Sequence, residues 1–294
     1  MRVRVFLGFL SYFLVAGCAA QSGVERTGQS LQIEPIKTWP KVVSETSGLA
    51  FKNDLYWTHN DSGGKASVYA FDQQSQTLIR RVDLKKARNV DCEGMAQDDQ
   101  YLYVADCGDN KGGRHQLQIY KVEWAQLDRA QDKQNVPSTR INFEYGDRNR
   151  DPSTENNFDC EAIAVVDDKI WLFSKNRGDL KSRLYIVDKS AASQVLEPKT
   201  TLPVAGLITD ADYLPETKQL VLLGYHKASV FGGSFVWILD VVDGMPDWST
   251  AVYHAINPYG QWEAILWKDA QTLIVTSEHS PLGTQQIGSI KLPE

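Results

Sequence analysis

Apolar and polar positions along this chain fall into short runs of four to seven residues, rich in Val, Ile, Leu, Tyr, Phe and Trp and bounded by Gly, Asp, Asn and Lys. Such runs predict short β-strands joined by tight turns. The clearest unit spans residues 89–110, N-V-D-C-E-G-M-A-Q-D-D-Q-Y-L-Y-V-A-D-C-G-D-N. It reads as two strands around a turn, with Asp91 and Glu93 opening the first strand and a polar loop after the second. The unit recurs at residues 157–176, N-F-D-C-E-A-I-A-V-V-D-D-K-I-W-L-F-S-K-N, and more weakly three further times.

Taken in order, the predicted strands form five groups. The first holds 45–50, 55–58, 68–71 and 78–84. The second holds 91–96, 101–105, 118–122 and 140–145, and the third 159–165, 169–173, 184–187 and 200–204. The fourth holds 210–214, 219–223, 235–239 and 252–256. The fifth has only 261–265, 272–276 and 288–292. The anchor residues of the five groups, Ser47, Glu93, Glu161, Asp212 and Glu263, are 46, 68, 51 and 51 residues apart. The longer gap holds two polar excursions, 123–140 and 146–156. Four strands at intervals of about 50 residues predict an all-β fold, a five-bladed β-propeller with four-stranded blades. A strand at 31–36 is left over at the N-terminus and is expected to complete and close the last blade, so that no edge stays open.

Side chains two apart share a face of a strand. The innermost strands would therefore aim Glu45 and Ser47, Asp91 and Glu93, Asp159 and Glu161, Asp210 and Asp212, and Gln261 and Glu263 into the central channel. Cys92, Cys160 and Trp262 would point the other way. Carboxylates that close repel unless protons or a cation neutralise them. Hard oxygen donors in this number suit Ca²⁺, which makes Ser47, Glu93, Glu161, Asp212 and Glu263 the candidate metal ligands.

The loops after the second strands should emerge around the channel mouth, where binding residues are expected on a rigid scaffold. They carry His59, Asp61, Asp106, Asp109, Asn110, Lys175, Arg177, His226, Glu278 and His279. Lys175, Arg177, His226 and His279 suit a polar or anionic ligand such as a phosphoester. Asp61, Asp109, His226 and His279 are the candidates for acid–base chemistry. The plainer reading of Asp, Asn, Gly and Lys at these places is turn chemistry. Trp39, Trp57, Trp171 and Trp237 fall in or near strands and read as core between blades.

The formal charge of −6 over 294 residues, with no basic block, argues against nucleic acid. No Gly-rich phosphate loop or G-x-S-x-G elbow is present, and no C-x-x-C pair suggests zinc. The first residues are not fold. Arg2 and Arg4 precede a short apolar run, 5–15, ending in V-A-G-C at Cys18. This resembles the lipobox of bacterial lipoproteins. The resemblance implies a signal peptide over 1–17 and acylation at Cys18 (palmitate included). A polar tether over 18–30, which has no apolar period, then leads to the propeller domain expected over 31–294. The same resemblance implies a bacterial outer-membrane location facing the periplasm, since Ala19 rather than Asp follows the cysteine. In that oxidising compartment the expected disulfide is Cys92–Cys107, nearly opposite across a hairpin, leaving Cys160 buried and free. A Cys107–Cys160 bond is the alternative.

S-E-T-S-G-L-A-F at Ser47, D-C-E-G-M-A at Glu93, D-C-E-A-I-A at Glu161 and Q-W-E-A-I-L at Glu263 together resemble the inner strands of calcium-activated nucleotidases (apyrases). That resemblance spans 31–292. It implies five blades around one Ca²⁺ held by a Ser and several Glu, with Asp212 standing where a weaker, serine-like ligand is expected. D-C-E-G-M-A also resembles repeats of bacterial phytase-like esterase propellers. The nucleotide-handling residues of the apyrases have no close counterpart in the loops. Three functions follow as expectations. The first is a Ca²⁺-centred envelope lipoprotein that binds a polar or anionic ligand on its loop face. The others are a metal-dependent phosphoester hydrolase and a scaffold for an envelope protein partner.

Overall fold

A computed structural model describes residues 26–148, 155–226 and 232–293. Cys18 and the 1–17 segment lie outside the described residues. The fold is all-β, with one six-residue helix among the described residues.

The chain opens with β1 (Arg26–Thr27) and β2 (Leu31–Thr38). Then come β3 (Thr46–Lys52), β4 (Leu55–Asn60), β5 (Ser67–Asp72) and β6 (Leu78–Lys85). Next are β7 (Cys92–Gln97), β8 (Tyr101–Asp106), β9 (Leu117–Glu123), α1 (Trp124–Arg129), β10 (Gln134–Pro137) and β11 (Thr139–Tyr145). They are followed by β12 (Asp159–Val166), β13 (Lys169–Lys175), β14 (Ser182–Asp188), β15 (Ser193–Leu196) and β16 (Thr200–Leu202). The chain continues with β17 (Leu207–Leu214), β18 (Gln219–Tyr225), β19 (Ser234–Val242) and β20 (Met245–Asn257). It ends with β21 (Trp262–Asp269), β22 (Thr272–Ser277) and β23 (Gln286–Lys291).

Antiparallel pairing groups these strands as β3-β4-β5-β6, β7-β8-β9-β11, β12-β13-β14-β16, β17-β18-β19-β20 and β21-β22-β23-β2. The N-terminal β2 joins the C-terminal β23 and also runs parallel to β20, so both ends of the chain meet in one sheet. The first strands of the groups neighbour one another in a closed cycle, β3 to β7 to β12 to β17 to β21 and back to β3. This is a propeller-type arrangement.

Both faces of each sheet are buried, which the two-residue alternation achieves directly. In β8, Leu102 and Val104 face one neighbour while Tyr103 and Ala105 face the other. In β18, Leu220 and Leu222 pack toward Trp171 and Phe173, and Val221 and Leu223 toward Leu273 and Val275. Trp39 and Tyr56 meet Leu266 and Ile274, closing the cycle between the last sheet and the first. Trp39, Trp57, Trp171 and Trp237 are all buried in these seams.

Three further short strands lie on outer edges. β10 runs parallel to β6, β15 to β11, and β1 to β20. Each covers backbone groups that an open edge would expose. α1 sits in the 123–140 excursion with Trp124 and Leu127 buried against the seam between the first two sheets. The tether expected over 18–30 therefore ends inside the fold. Gly28 donates its N–H to the Tyr253 carbonyl at 2.8 Å, and His254 Nδ1 lies 2.8 Å from the Gln29 carbonyl.

The disulfide is Cys107–Cys160, with Cα atoms 5.3 Å apart, and Cys92 is free and buried. This corrects the Cys92–Cys107 expectation. Cys92 is opposite Asp106, not Cys107. Cys92 packs with Trp57 and Val82 in one seam, Cys107 with Ile119 and Cys160 in the next.

Candidate functional site

Each first strand breaks register near its start. The breaks fall between Ser47 and Leu49, Cys92 and Gly94, Cys160 and Ala162, Ile208 and Asp210, and Trp262 and Ala264. A bulge inserts one residue and re-aims its side chain. The inserted residues are Gly48, Glu93, Glu161, Thr209 and Glu263. Gly48 holds φ +70°, and a Cβ there would strike the Met95 backbone. Its neighbour Ser47 takes the lining place and donates its hydroxyl to the Glu93 carbonyl at 2.5 Å.

Ser47, Glu93, Glu161 and Glu263 meet at one mouth of the axial channel, around a cavity of about 120 Å³. The loops add Asp61 after β4, Asn110 after β8, Lys175 at the end of β13, Tyr225 at the end of β18, and Gln261 and Glu278. Asp61, Asn110, Lys175 and Glu278 from the loops thus share one site with the inner-strand residues. Lys175 Nζ lies 3.0 Å from Glu161 Oε2 and 5.3 Å from the centre of the Tyr225 ring. Oxygens of Asp61, Asp91 and Glu93 lie within 4.8 Å of one another. Asp61 Oδ1 and Glu161 Oε1 are buried without a hydrogen-bond partner.

Burial raises these carboxyls, and their mutual repulsion adds to it. Asp61 is pushed up to about 7 by burial, then by Asp91 and Glu263. Glu278 is pushed up to about 7 by burial, then by Glu263 and Asp61. Burial holds Glu93 well above the usual carboxylate range, with Glu161 and Asp61 adding to it. Burial also raises Glu263, and Lys175 and Arg177 pull it back. Burial pulls Lys175 down, yet Glu161, Tyr225 and Glu263 hold it charged, well above the ordinary lysine. Five carboxyls, Asp61, Glu93, Glu161, Glu263 and Glu278, face this single ammonium within the cavity walls.

β17, the first strand of the fourth sheet, differs from expectation. Asp212 lies three residues beyond the bulge, at the opposite mouth of the channel, where its Oδ2 accepts the Trp267 N–H at 2.7 Å. It does not join Glu93, Glu161 and Glu263. The inserted residue is Thr209, whose hydroxyl donates to the Trp262 carbonyl at 3.0 Å, while Asp210 Oδ2 accepts the Ile265 N–H at 2.8 Å. β17 staples β21 instead of supplying a carboxylate, and Tyr225 fills the gap. D-A-D had imitated the spacing of D-C-E, and only the register to β18 separates the two.

Several loop candidates stand elsewhere. His59 is buried beneath Gly48, its Nδ1 3.1 Å from the Asn60 carbonyl, and burial pushes it down to about 4. It is a neutral support for the bulge and is not in the cavity wall. Asp106 accepts the N–H groups of Val90 and Asp91 and pairs with Arg114 at 3.1 Å. Asp109 accepts the Gly113 and Arg114 N–H groups and pairs with Arg148 at 2.5 Å. Both organise their loop. Arg177 stands at the rim, paired with Asp159 and 3.8 Å from Glu161 Oε1. His226 Nε2 lies 3.0 Å from the Tyr253 hydroxyl, against Phe235, on the outer part of its sheet. The His279 N–H donates to the Ser44 carbonyl at 2.7 Å, and its side chain is not in the cavity wall.

No family model matches this chain, and no curated protein matches it. Among solved structures, hydrazine synthase of Kuenenia stuttgartiensis is similar at TM-score 0.43 and 16% identity, over 80% of this chain and 56% of that one. The chain thus spans little more than half of that relative. The Neurospora crassa Pan2 WD40 domain is similar at TM-score 0.44 and 9% identity, over 88% and 79%. A chain of the mitotic checkpoint complex is similar at TM-score 0.44 and 10% identity, over 85% and 78%.

Proposed function

We propose that the five sheets are the blades of a propeller whose axial cavity holds a divalent cation, Ca²⁺ by its donor set, in a lipid-anchored protein of the bacterial envelope. The observation that carries this reading is the convergence of Asp61, Glu93, Glu161, Glu263 and Glu278 with the Ser47 hydroxyl on one small cavity. Two buried carboxylate oxygens there, on Asp61 and Glu161, accept no hydrogen bond. All the donors are hard oxygens, as Ca²⁺ requires. A cation would replace the protons that burial and repulsion otherwise impose. It would also change the sign of the mouth. A polar or anionic ligand entering there would meet the cation together with Lys175, which rationalises an ammonium among so many acids.

A second reading, hydrolysis of a phosphoester, is supported by Asp61 and Glu278. Their carboxyls stand near 7, the range of an effective proton acceptor. Of the other acid–base candidates, Asp109 and His226 are engaged away from the cavity.

The test is metal content of the purified protein by elemental analysis, with thermal unfolding in EDTA and in excess Ca²⁺. A bound ion stabilises the native state by mass action, and a rise of several degrees is expected. Glu161→Gln and Glu263→Gln should abolish the rise while Asp212→Asn keeps it. A metal-free sample with no response to Ca²⁺ would sink the cation reading and leave the propeller as an interaction scaffold for an envelope partner. Phosphoester turnover lost in Asp61→Asn but not in His226→Ala would favour the second reading.

A further inference from the structure

The Cys107–Cys160 bond joins two walls of the axial cavity. Each cysteine is the chain neighbour of a residue at that wall. Cys160 lies in β12, and Glu161, the inserted residue of the bulge, follows it into the cavity lining. Cys107 lies in the loop after β8, and Gly108 follows it. A Cβ at Gly108 would collide with Glu93 Oε1 and lie 2.7 Å from Asp91 Oδ2. The Glu93 carboxylate therefore rests on the loop backbone, and that loop is bonded to the strand of Glu161.

The two walls need such a link. Glu93 is on β7 and Glu161 on β12, which belong to different sheets, so no ladder of backbone hydrogen bonds holds one against the other. Both side chains are buried, and their like charges repel. Contacts beside the bond run in the same direction. The Gly108 N–H donates to the Asp91 carbonyl at 3.0 Å, on the loop's own sheet. The Asp109 N–H donates to Asp159 Oδ1 at 2.6 Å, on the next one. Cys107 and Cys160 are themselves buried in the apolar seam that holds Ile119 and Phe158.

We propose that Cys107–Cys160 is a positioning cross-link of the axial site. It sets the spacing of Glu93 and Glu161, and with it the affinity for the divalent cation. This deepens the cation reading and rests on it. Groups that hold metal ligands in place typically contribute about 10–100-fold to affinity.

The test is calorimetric titration of the purified, metal-stripped protein with CaCl₂, below the melting transition of every variant. Cys107→Ala with Cys160→Ala should weaken Ca²⁺ binding by about tenfold or more. Cys92→Ala, which removes a buried thiol from the other seam, should leave it unchanged. Gly108→Ala should weaken binding by about tenfold in the cross-linked protein, because the new methyl pushes Glu93 aside. Without the cross-link the loop can retreat, and the same glycine change should then cost less than about threefold. A bond that only stabilised the fold would move the melting temperature and leave these affinities and their coupling untouched. Unlinked protein that binds Ca²⁺ as wild type does, or a Gly108→Ala cost equal in both backgrounds, would overturn this proposal alone. Should the unlinked protein not fold, Gly108→Ala decides by itself, and an unchanged affinity overturns the proposal. Wild-type protein that takes up no Ca²⁺ would remove the cation reading and this proposal together.

Discussion

Lys175 Nζ lies 3.0 Å from Glu161 Oε2, and the two side chains are 7% and 3% exposed. This buried pair is the only ion pair among the described residues whose two members both line the axial cavity. Removing one member of such a pair is costly because the other is left uncompensated, typically about 3–5 kcal/mol. Lys175→Met should therefore destabilise the protein by about 3 kcal/mol in urea unfolding with EDTA present. Lys175→Met with Glu161→Gln should recover most of that loss, since neither charge remains. If the single and double variants were equally destabilised, the pairing would not be what Lys175 contributes.

The acidic mouth also sets a pH dependence. Asp61 and Glu278 stand near 7 in the fold, against about 3.9 and 4.3 for free Asp and Glu side chains. Raised carboxyls bind more protons in the native state than in the unfolded one. Their stabilising contribution is complete below about pH 4 and is lost as pH rises through about 7. The metal-free protein should melt at a higher temperature at pH 5 than at pH 8. Excess Ca²⁺ should shrink that difference, because a cation takes over from the protons. Asp212, also pushed up to about 7 by burial, adds a slope of the same sign that Ca²⁺ leaves untouched. A melting temperature that rose from pH 5 to pH 8 in EDTA would contradict the burial of these groups.

Much of this was legible in the sequence, for a physical reason. When both faces of a strand are buried, alternation sorts residues between two neighbours, and Tyr103 beside Leu102 already says so. Glu93, Glu161 and Glu263 could be found because a repeated motif marks a repeated bulge. Thr209 could not, since the bulge is a matter of register and D-A-D offers a false match at Asp212. The disulfide failed for the same reason: one residue of register moves a cysteine to the other face. Loop positions were equivalent, but loop roles were not. Asp61 turns into the cavity, whereas Asp109 is consumed by the Gly113 and Arg114 backbone and by Arg148.

The Cys107–Cys160 bond links β8's loop to β12 across a 53-residue separation. Cross-links of this kind typically contribute about 2–5 kcal/mol. Cys107→Ala should lower stability by that order in urea, whereas Cys92→Ala should cost about 1 kcal/mol as a small cavity. Peptide mapping without reduction should recover the 107–160 cross-link from wild type and from Cys92→Ala alike. A cross-linked peptide containing Cys92 would refute this pairing.

Gly28 supplies a last, independent check, on how the N-terminal segment is held. β1 lies parallel to β20, and the next residue, Gly28, presents its bare Cα to the His254 ring. A Cβ at Gly28 would collide with that ring, so one must give way. The ring is itself held by the Gln29 carbonyl. Gly28→Val should therefore free residues 26–30 from β20 without disturbing the sheets inside. Limited proteolysis reads this directly, because a segment paired on an edge resists cleavage and a released one does not. The expected outcome is faster cutting near residue 26 with the melting temperature lowered by only a few degrees. Gly28→Val with His254→Ala opens the space again and should restore resistance. If Gly28→Val left the cutting rate unchanged, the segment would not be anchored by β20, and the outer edge of that sheet would be open.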